Sequence, residues 1–127
     1  MLQQLVIVFV GGGLGAVLRL QLSGIILHRT TDWRFPLATF VVNVVGCLVA
    51  GLLAGLIIKL DLLSEQARLF LFTGLLGGFT TFSAFGIETV SLLRRQEYNI
   101  ALMYVLLSVV CGVVGLWAVL QMMTIRR

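Results

Sequence analysis

Phe79, Phe82 and Phe85 recur every three residues, interleaved with the hydroxyls of Thr80, Thr81 and Ser83, directly after the paired glycines Gly77 and Gly78. The grouping lies inside an apolar stretch, Leu69 to Leu93, of the length that spans a bilayer, and it predicts a helix broken at mid-membrane. An unpaired N–H or C=O in hydrocarbon is so unfavourable that such a break persists only where protein, water or an ion takes up the freed groups. Unwound carbonyls suit a cation, and exposed N–H groups suit an anion. A phenyl ring is electropositive at its edge, so two rings turned edge-on help to hold a small anion without a full counter-charge. An isolated aromatic triplet is core filler by default. Beside the intramembrane Asn43 and a row of hydroxyls, the anion reading is preferred.

Small and polar residues repeat at helical spacing elsewhere. Thr39, Asn43, Gly46 and Ala50 share one face of a second helix, and Tyr104, Ser108, Gly112 and Gly115 repeat the pattern in a fourth, which predicts that the two stripes meet at a common interface. Taken singly, either stripe is a packing device, with small residues allowing close approach and hydroxyls bonding across helices. Gly51 and Gly55, one turn beyond Cys47, read as helix packing alone, and so do the glycines of Gly11-Gly-Gly-Leu-Gly15, which no strand precedes. Arg19 stands near the middle of the first apolar span and needs water, a partner or the interface. Either it draws anions into an aqueous vestibule, the reading preferred here, or it snorkels to the nearer surface. Glu88 pairs with Arg19 or reaches water, and the sequence does not choose.

These residues require elements to position them. The chain has 127 residues, 60% of them hydrophobic and 11% charged, where about a quarter charged is typical of soluble domains. Four apolar stretches, Leu5 to Leu27, Leu37 to Ile58, Leu69 to Leu93 and Ile100 to Leu120, each reach the length of a spanning helix. The connectors around His28 to Phe35, Lys59 to Gln66 and Arg94 to Asn99 are too short for a soluble domain, so residues 1–127 form one four-helix transmembrane unit. Pro36 suits the start of the second helix, and Ser64 with Glu65 suits the start of the third. Trp33, Tyr98 and Trp117 fall at expected interfaces. The first span lacks a basic leader and a small-residue cleavage site, so it is expected to be retained.

Charge and cysteines remove other classes. The net charge of +4 is spread over helix ends rather than gathered in a patch, so no nucleic-acid partner is expected. Lys59, Arg68, Arg126 and Arg127 fall on one side of the membrane and Arg29, Arg34, Arg94 and Arg95 on the other. Orientation normally follows an excess of such residues. A tie suggests dual topology, with copies inserted both ways and paired antiparallel; chance in so small a count gives the same tie. Cys47 and Cys111 lie deep in apolar spans and read as small hydrophobes. With His28 alone in its connector, side-chain metal ligands at workable spacing are absent, as are a catalytic triad and a phosphate-binding loop, so the chain is not expected to be an enzyme.

Four segments together, Gly12-Gly-Leu-Gly-Ala-Val-Leu-Arg19, Thr39 with Asn43 and Gly46, Thr73-Gly-Leu-Leu-Gly-Gly-Phe-Thr-Thr-Phe-Ser-Ala-Phe-Gly-Ile-Glu88, and Tyr104 with Ser108, resemble the motifs of the Fluc (CrcB) fluoride channels. The resemblance reaches all four helices and is most specific in the third. It implies an all-α membrane protein, an antiparallel dual-topology homodimer with two pores, embedded in lipid of the inner (plasma) membrane and exporting fluoride passively from a microbial cytoplasm. Asn43, Phe82, Phe85 and Ser108 would line the fluoride path, extended by Thr39, Ser83 and Tyr104, with Arg19 in the vestibule. Backbone carbonyls of Gly77 and Thr80 would bind a structural sodium ion at the dimer centre. The chain departs from the family's usual Thr-Thr-Phe-Ser-Thr-Phe-Ser at Ala84 and Gly86, which removes one hydroxyl from the polar track, and Ala38 replaces the usual glycine before Thr39. Two other readings are a small homodimeric cation or drug exporter of the small-multidrug-resistance type working through Glu88, and an assembly subunit whose small-residue stripes bind a larger partner.

Overall fold

The computed structural model describes residues 1–61 and 63–125. Arg126 and Arg127, half of one side of the charge tally, lie outside the described residues. Four helical runs are long and apolar enough to cross a membrane: Leu2–Arg29, Leu37–Leu60, Glu65–Arg94 and Tyr98–Ile125. We label the first two α1 and α2. The third run divides into α3, residues 65–79, and α4, Phe82–Arg94, and the last is α5, Tyr98–Ile125. Large apolar side chains such as Phe9, Leu20, Leu102 and Val113 are exposed while few residues are fully buried, the inverse of a water-soluble globule.

Local chemistry sets the helix ends. Pro36 immediately precedes α2, and the Ser64 hydroxyl accepts the Ala67 N–H at 3.2 Å to cap α3. At the far end of α2, Asp61 adopts a left-handed conformation, φ 44°, and its carboxylate holds Arg68 at 3.0 Å across the connector.

Glycines decide how closely the helices approach. A Cβ at Gly11 would lie 2.8 Å from the Phe70 carbonyl oxygen, and one at Gly15 would collide with the carbonyl of Leu75. Gly78 lies equally hard against Gly12. The glycine-rich run of α1 is thus a packing surface for α3, as its sequence suggests. The sequence does not foretell the winding of α3, whose Leu69–Leu76 portion is a π-helix. The widened turns bring the Phe70 and Leu75 carbonyls toward α1, where only glycines leave room.

The two polar stripes meet in part: α2 and α5 do pack together, but not every member of the α2 stripe is used at that interface. On α2, Gly51 packs against the Leu116 backbone and Gly55 against Met123, while Gly112 and Gly115 of α5 face Cys47 and Leu48. Asn43 and Gly46 turn instead toward Thr80 and Thr81. This part of the stripe on α2 therefore serves the α3–α4 junction, because backbone groups freed there need polar partners more than two packed helices do. Thr39 and Tyr104 still come together, each donating to Glu88.

Candidate functional site

Between α3 and α4 the chain leaves helical conformation for two residues, Thr80 (φ −80°, ψ 159°) and Thr81 (φ −150°, ψ 116°). A single side chain from α2 holds this junction: the Asn43 carboxamide donates from Nδ2 to the Thr81 carbonyl at 3.0 Å, and its Oδ1 accepts the Thr81 N–H at 2.8 Å. In a continuous helix that N–H would bond to the Gly77 carbonyl. The Thr81 hydroxyl then caps α4 by accepting the Ala84 N–H at 3.2 Å, the group that would otherwise reach the Thr80 carbonyl. The carbonyls of Gly77 and Thr80 are among those thereby released from the helical ladder, and the Thr80 carbonyl accepts from Arg19 instead. The first N–H groups of α4 likewise lack intrahelical acceptors and form the positive end of its dipole.

Two cavities flank Thr81. One, of about 290 Å³, is lined by Asn43, Cys47, Thr80, Thr81, Phe82, Phe85, Ser108 and Val109. The other, of about 520 Å³, is lined among others by Arg19, Ser23, Thr39, Thr81, Ser83 and Ala84. The smaller gathers Asn43, Phe82, Phe85 and Ser108; the larger gathers Arg19, Thr39 and Ser83. Thr81 borders both.

Among the described residues two buried side-chain oxygens lack a partner, Glu97 Oε2 and the Ser108 hydroxyl, and only Ser108 belongs to this site. An unpaired buried hydroxyl loses its hydration without compensation, so Ser108 lines the smaller cavity with unsatisfied capacity. Beside it, the rings of Phe82 and Phe85 stand 5.6 Å apart with planes tilted by 37°, and Phe85 stands 5.1 Å from Tyr104. Phe82 is 84% exposed on the single chain.

Tyr104 and Thr39 have a different engagement. Each donates to one oxygen of Glu88 at 2.7 Å, and Tyr104 is completely buried among Phe35, Phe85 and Leu92. Glu88 therefore does not pair with Arg19. Arg19 instead donates from Nη1 to the Thr80 carbonyl at 3.3 Å while lining the larger cavity. Of the departures from the family pattern, Ala84 lines that cavity and Gly86 has open space where a Cβ would stand. Ala38 is buried.

Sequence reasoning understated two residues. Thr81 joins both cavities and caps α4, a role signalled only by a threonine three residues before the Ala84 amide. Cys47, read as packing, also lines the smaller cavity, since its helix face is shared between Gly112 and the junction.

Residues 6–120 match the family described as CrcB-like protein, Camphor Resistance (CrcB). The chain is 53% identical, over 90% of its length and 89% of the relative's, to the fluoride-specific ion channel FluC of Methylobacillus flagellatus. It is 45% identical to the fluoride-specific ion channel FluC of Flavobacterium psychrophilum over 84% of its own length and 86% of that protein's. It is also 46% identical to the fluoride-specific ion channel FluC 2 of Nitrobacter hamburgensis, with 88% and 90% covered.

Proposed function

Since the chain belongs to the CrcB family, whose close relatives are fluoride-specific ion channels, we infer that it is a fluoride channel of the bacterial inner membrane rather than an enzyme. The four apolar helices supply a multi-pass membrane protein. The exporter reading required Glu88 as a free proton-coupled carboxylate. Both its oxygens accept hydrogen bonds, and the family assignment displaces that reading.

The observation that carries the path is the buried, unpartnered hydroxyl of Ser108, a residue that lines a cavity together with Asn43, Phe82 and Phe85. Fluoride is small and strongly hydrated, so a selective route must replace its water with donors already in place. Ser108 has a hydroxyl to donate. Asn43 spends one N–H on Thr81, which orients the carboxamide and leaves the second N–H of Nδ2 for the cavity. Phe82 and Phe85 contribute positive ring edges. Arg19, in the larger cavity with Ser23 and Ser83, raises the local anion concentration in the vestibule. Thr39 and Tyr104 each commit their one hydroxyl proton to Glu88, so they border the track without a donor to offer the anion. A junction of this kind at mid-membrane requires the partners that Asn43 and Thr81 provide.

The functional unit proposed is an antiparallel homodimer with two pores. Its support is the four-against-four distribution of Lys and Arg and the exposure of Phe82, a ring beside the cavity that one chain leaves uncovered. A structural sodium ion fits the released Gly77 and Thr80 carbonyls, because neutral oxygen donors suit a hard monovalent cation and unwound helices supply them. Among the described residues no cluster of His, Cys, Asp or Glu offers an alternative metal site. Such an ion would tie two junctions together without taking part in conduction.

The deciding experiment is passive efflux from liposomes containing the purified chain, followed with fluoride and chloride electrodes in parallel. Fast fluoride loss without chloride loss, in the absence of a proton gradient, is expected; absence of fluoride flux from correctly assembled protein would overturn the assignment.

A further inference from the structure

Arg19 and the proposed sodium ion depend on the same oxygen. The guanidinium donates to the Thr80 carbonyl at 3.3 Å, and that carbonyl is one of those that leave the helical ladder at the junction. Arg19 has no carboxylate within salt-bridge range; among the described residues the only such pair is Arg68 with Asp61. Glu88 is already engaged by Thr39 and Tyr104. Among the described residues no carboxylate balances the charge of Arg19, and it stands in a cavity with Ser23, Thr39, Thr81 and Ser83 that suits an anion.

We propose that Arg19 couples the anion vestibule to the cation site through the Thr80 carbonyl. This rests on the sodium reading above. A carbonyl oxygen has two lone pairs and accommodates both a guanidinium N–H and a metal ion, but two positive charges on one oxygen repel. At the effective dielectric of a protein, charges separated by several ångströms alter each other's binding on the order of tenfold or more. An anion beside Arg19 cancels part of that repulsion. Fluoride in the vestibule thus strengthens sodium binding, and by thermodynamic reciprocity sodium strengthens vestibular fluoride to the same degree. Arg19 is a positioning and coupling residue here, acting on the cation through Thr80 without ligating it.

The test is thermal unfolding of the purified full-length protein in detergent, titrated with sodium gluconate at constant ionic strength, with and without N-methylglucamine fluoride. For the unchanged chain, fluoride should lower the sodium concentration of half-maximal stabilisation several-fold. Arg19→Gln should lower it about tenfold and abolish the fluoride effect, while Arg19→Lys, which keeps the charge, should stay near the unchanged chain. A sodium midpoint in Arg19→Gln equal to or above that of the unchanged chain overturns the coupling, as does a fluoride-insensitive midpoint in the unchanged chain. The latter arm decides alone if Arg19→Gln does not purify. Stability independent of sodium in the unchanged chain removes the sodium reading itself, and the coupling with it.

Discussion

Asn43 and Thr81 pair as two peptide groups do in a β-ladder: the Thr81 N–H reaches Oδ1 at 2.8 Å and its carbonyl receives Nδ2 at 3.0 Å. One side chain thus pairs both backbone groups of Thr81 where α3 gives way to α4, and one N–H of Nδ2 remains unused. Asn43→Ala is expected to abolish most fluoride flux and also to destabilise the protein, since each stranded backbone group carries a penalty of about 1–3 kcal/mol. Thermal unfolding in detergent beside liposome efflux checks both. An unchanged melting temperature would show that the latch is not structural.

Ser108→Ala should behave in the opposite way on stability. Its hydroxyl has no partner to lose and is desolvated without compensation, so stability should be unchanged or raised, while fluoride efflux falls at least tenfold. Full flux in this variant would take Ser108 out of the path.

Phe82→Ile and Phe85→Ile should each suppress fluoride flux while leaving the proposed dimer intact by size-exclusion chromatography. The stabilities should differ. Phe85 packs on Tyr104 at 5.1 Å whereas Phe82 is 84% exposed on one chain, so Phe85→Ile should lose about 0.5–1.5 kcal/mol more within the subunit. Normal flux in both variants would remove the ring-edge mechanism.

Glu88 and Tyr104 should be coupled. In a double-mutant cycle of Glu88→Gln and Tyr104→Phe, the pair should show an interaction of about 1.5–3 kcal/mol, as expected for a hydrogen bond to a charged group. Additive effects would mean that the 2.7 Å contact contributes nothing in the folded protein.

Gly15→Ala should prevent α1 from seating on α3, because a methyl there meets the Leu75 carbonyl, a backbone atom that cannot turn away. A loss of at least about 1–3 kcal/mol, or failure to fold, is expected. Gly24→Ala, with nothing within 4 Å of the added carbon, should melt like the unchanged chain.

Much of this protein is legible without coordinates. The four spans follow from apolar length, the caps at Pro36 and Ser64 from local backbone chemistry, and the packing role of Gly11, Gly15, Gly51 and Gly55 from the absence of any competing motif. Such properties depend on neighbours along the chain or on the requirement that a membrane span be apolar. The grouping of Phe82, Phe85, Asn43 and Ser108 was available only as a set of residue types and, through resemblance, as an expectation.

What folding alone settles is which donor meets which acceptor across helices. Nothing in the order of residues says that Asn43 serves Thr81 rather than α5, that Glu88 takes its bonds from Thr39 and Tyr104 rather than from Arg19, or that Arg19 reaches the Thr80 carbonyl. These choices depend on helix rotation and separation, which the glycine contacts of α1 with α3 and of α2 with α5 establish to within a methyl group. Hydrogen bonds decay over fractions of an ångström, whereas apolar burial tolerates more, and for that reason the spans are written in the sequence while the polar junction is decided by the packed structure.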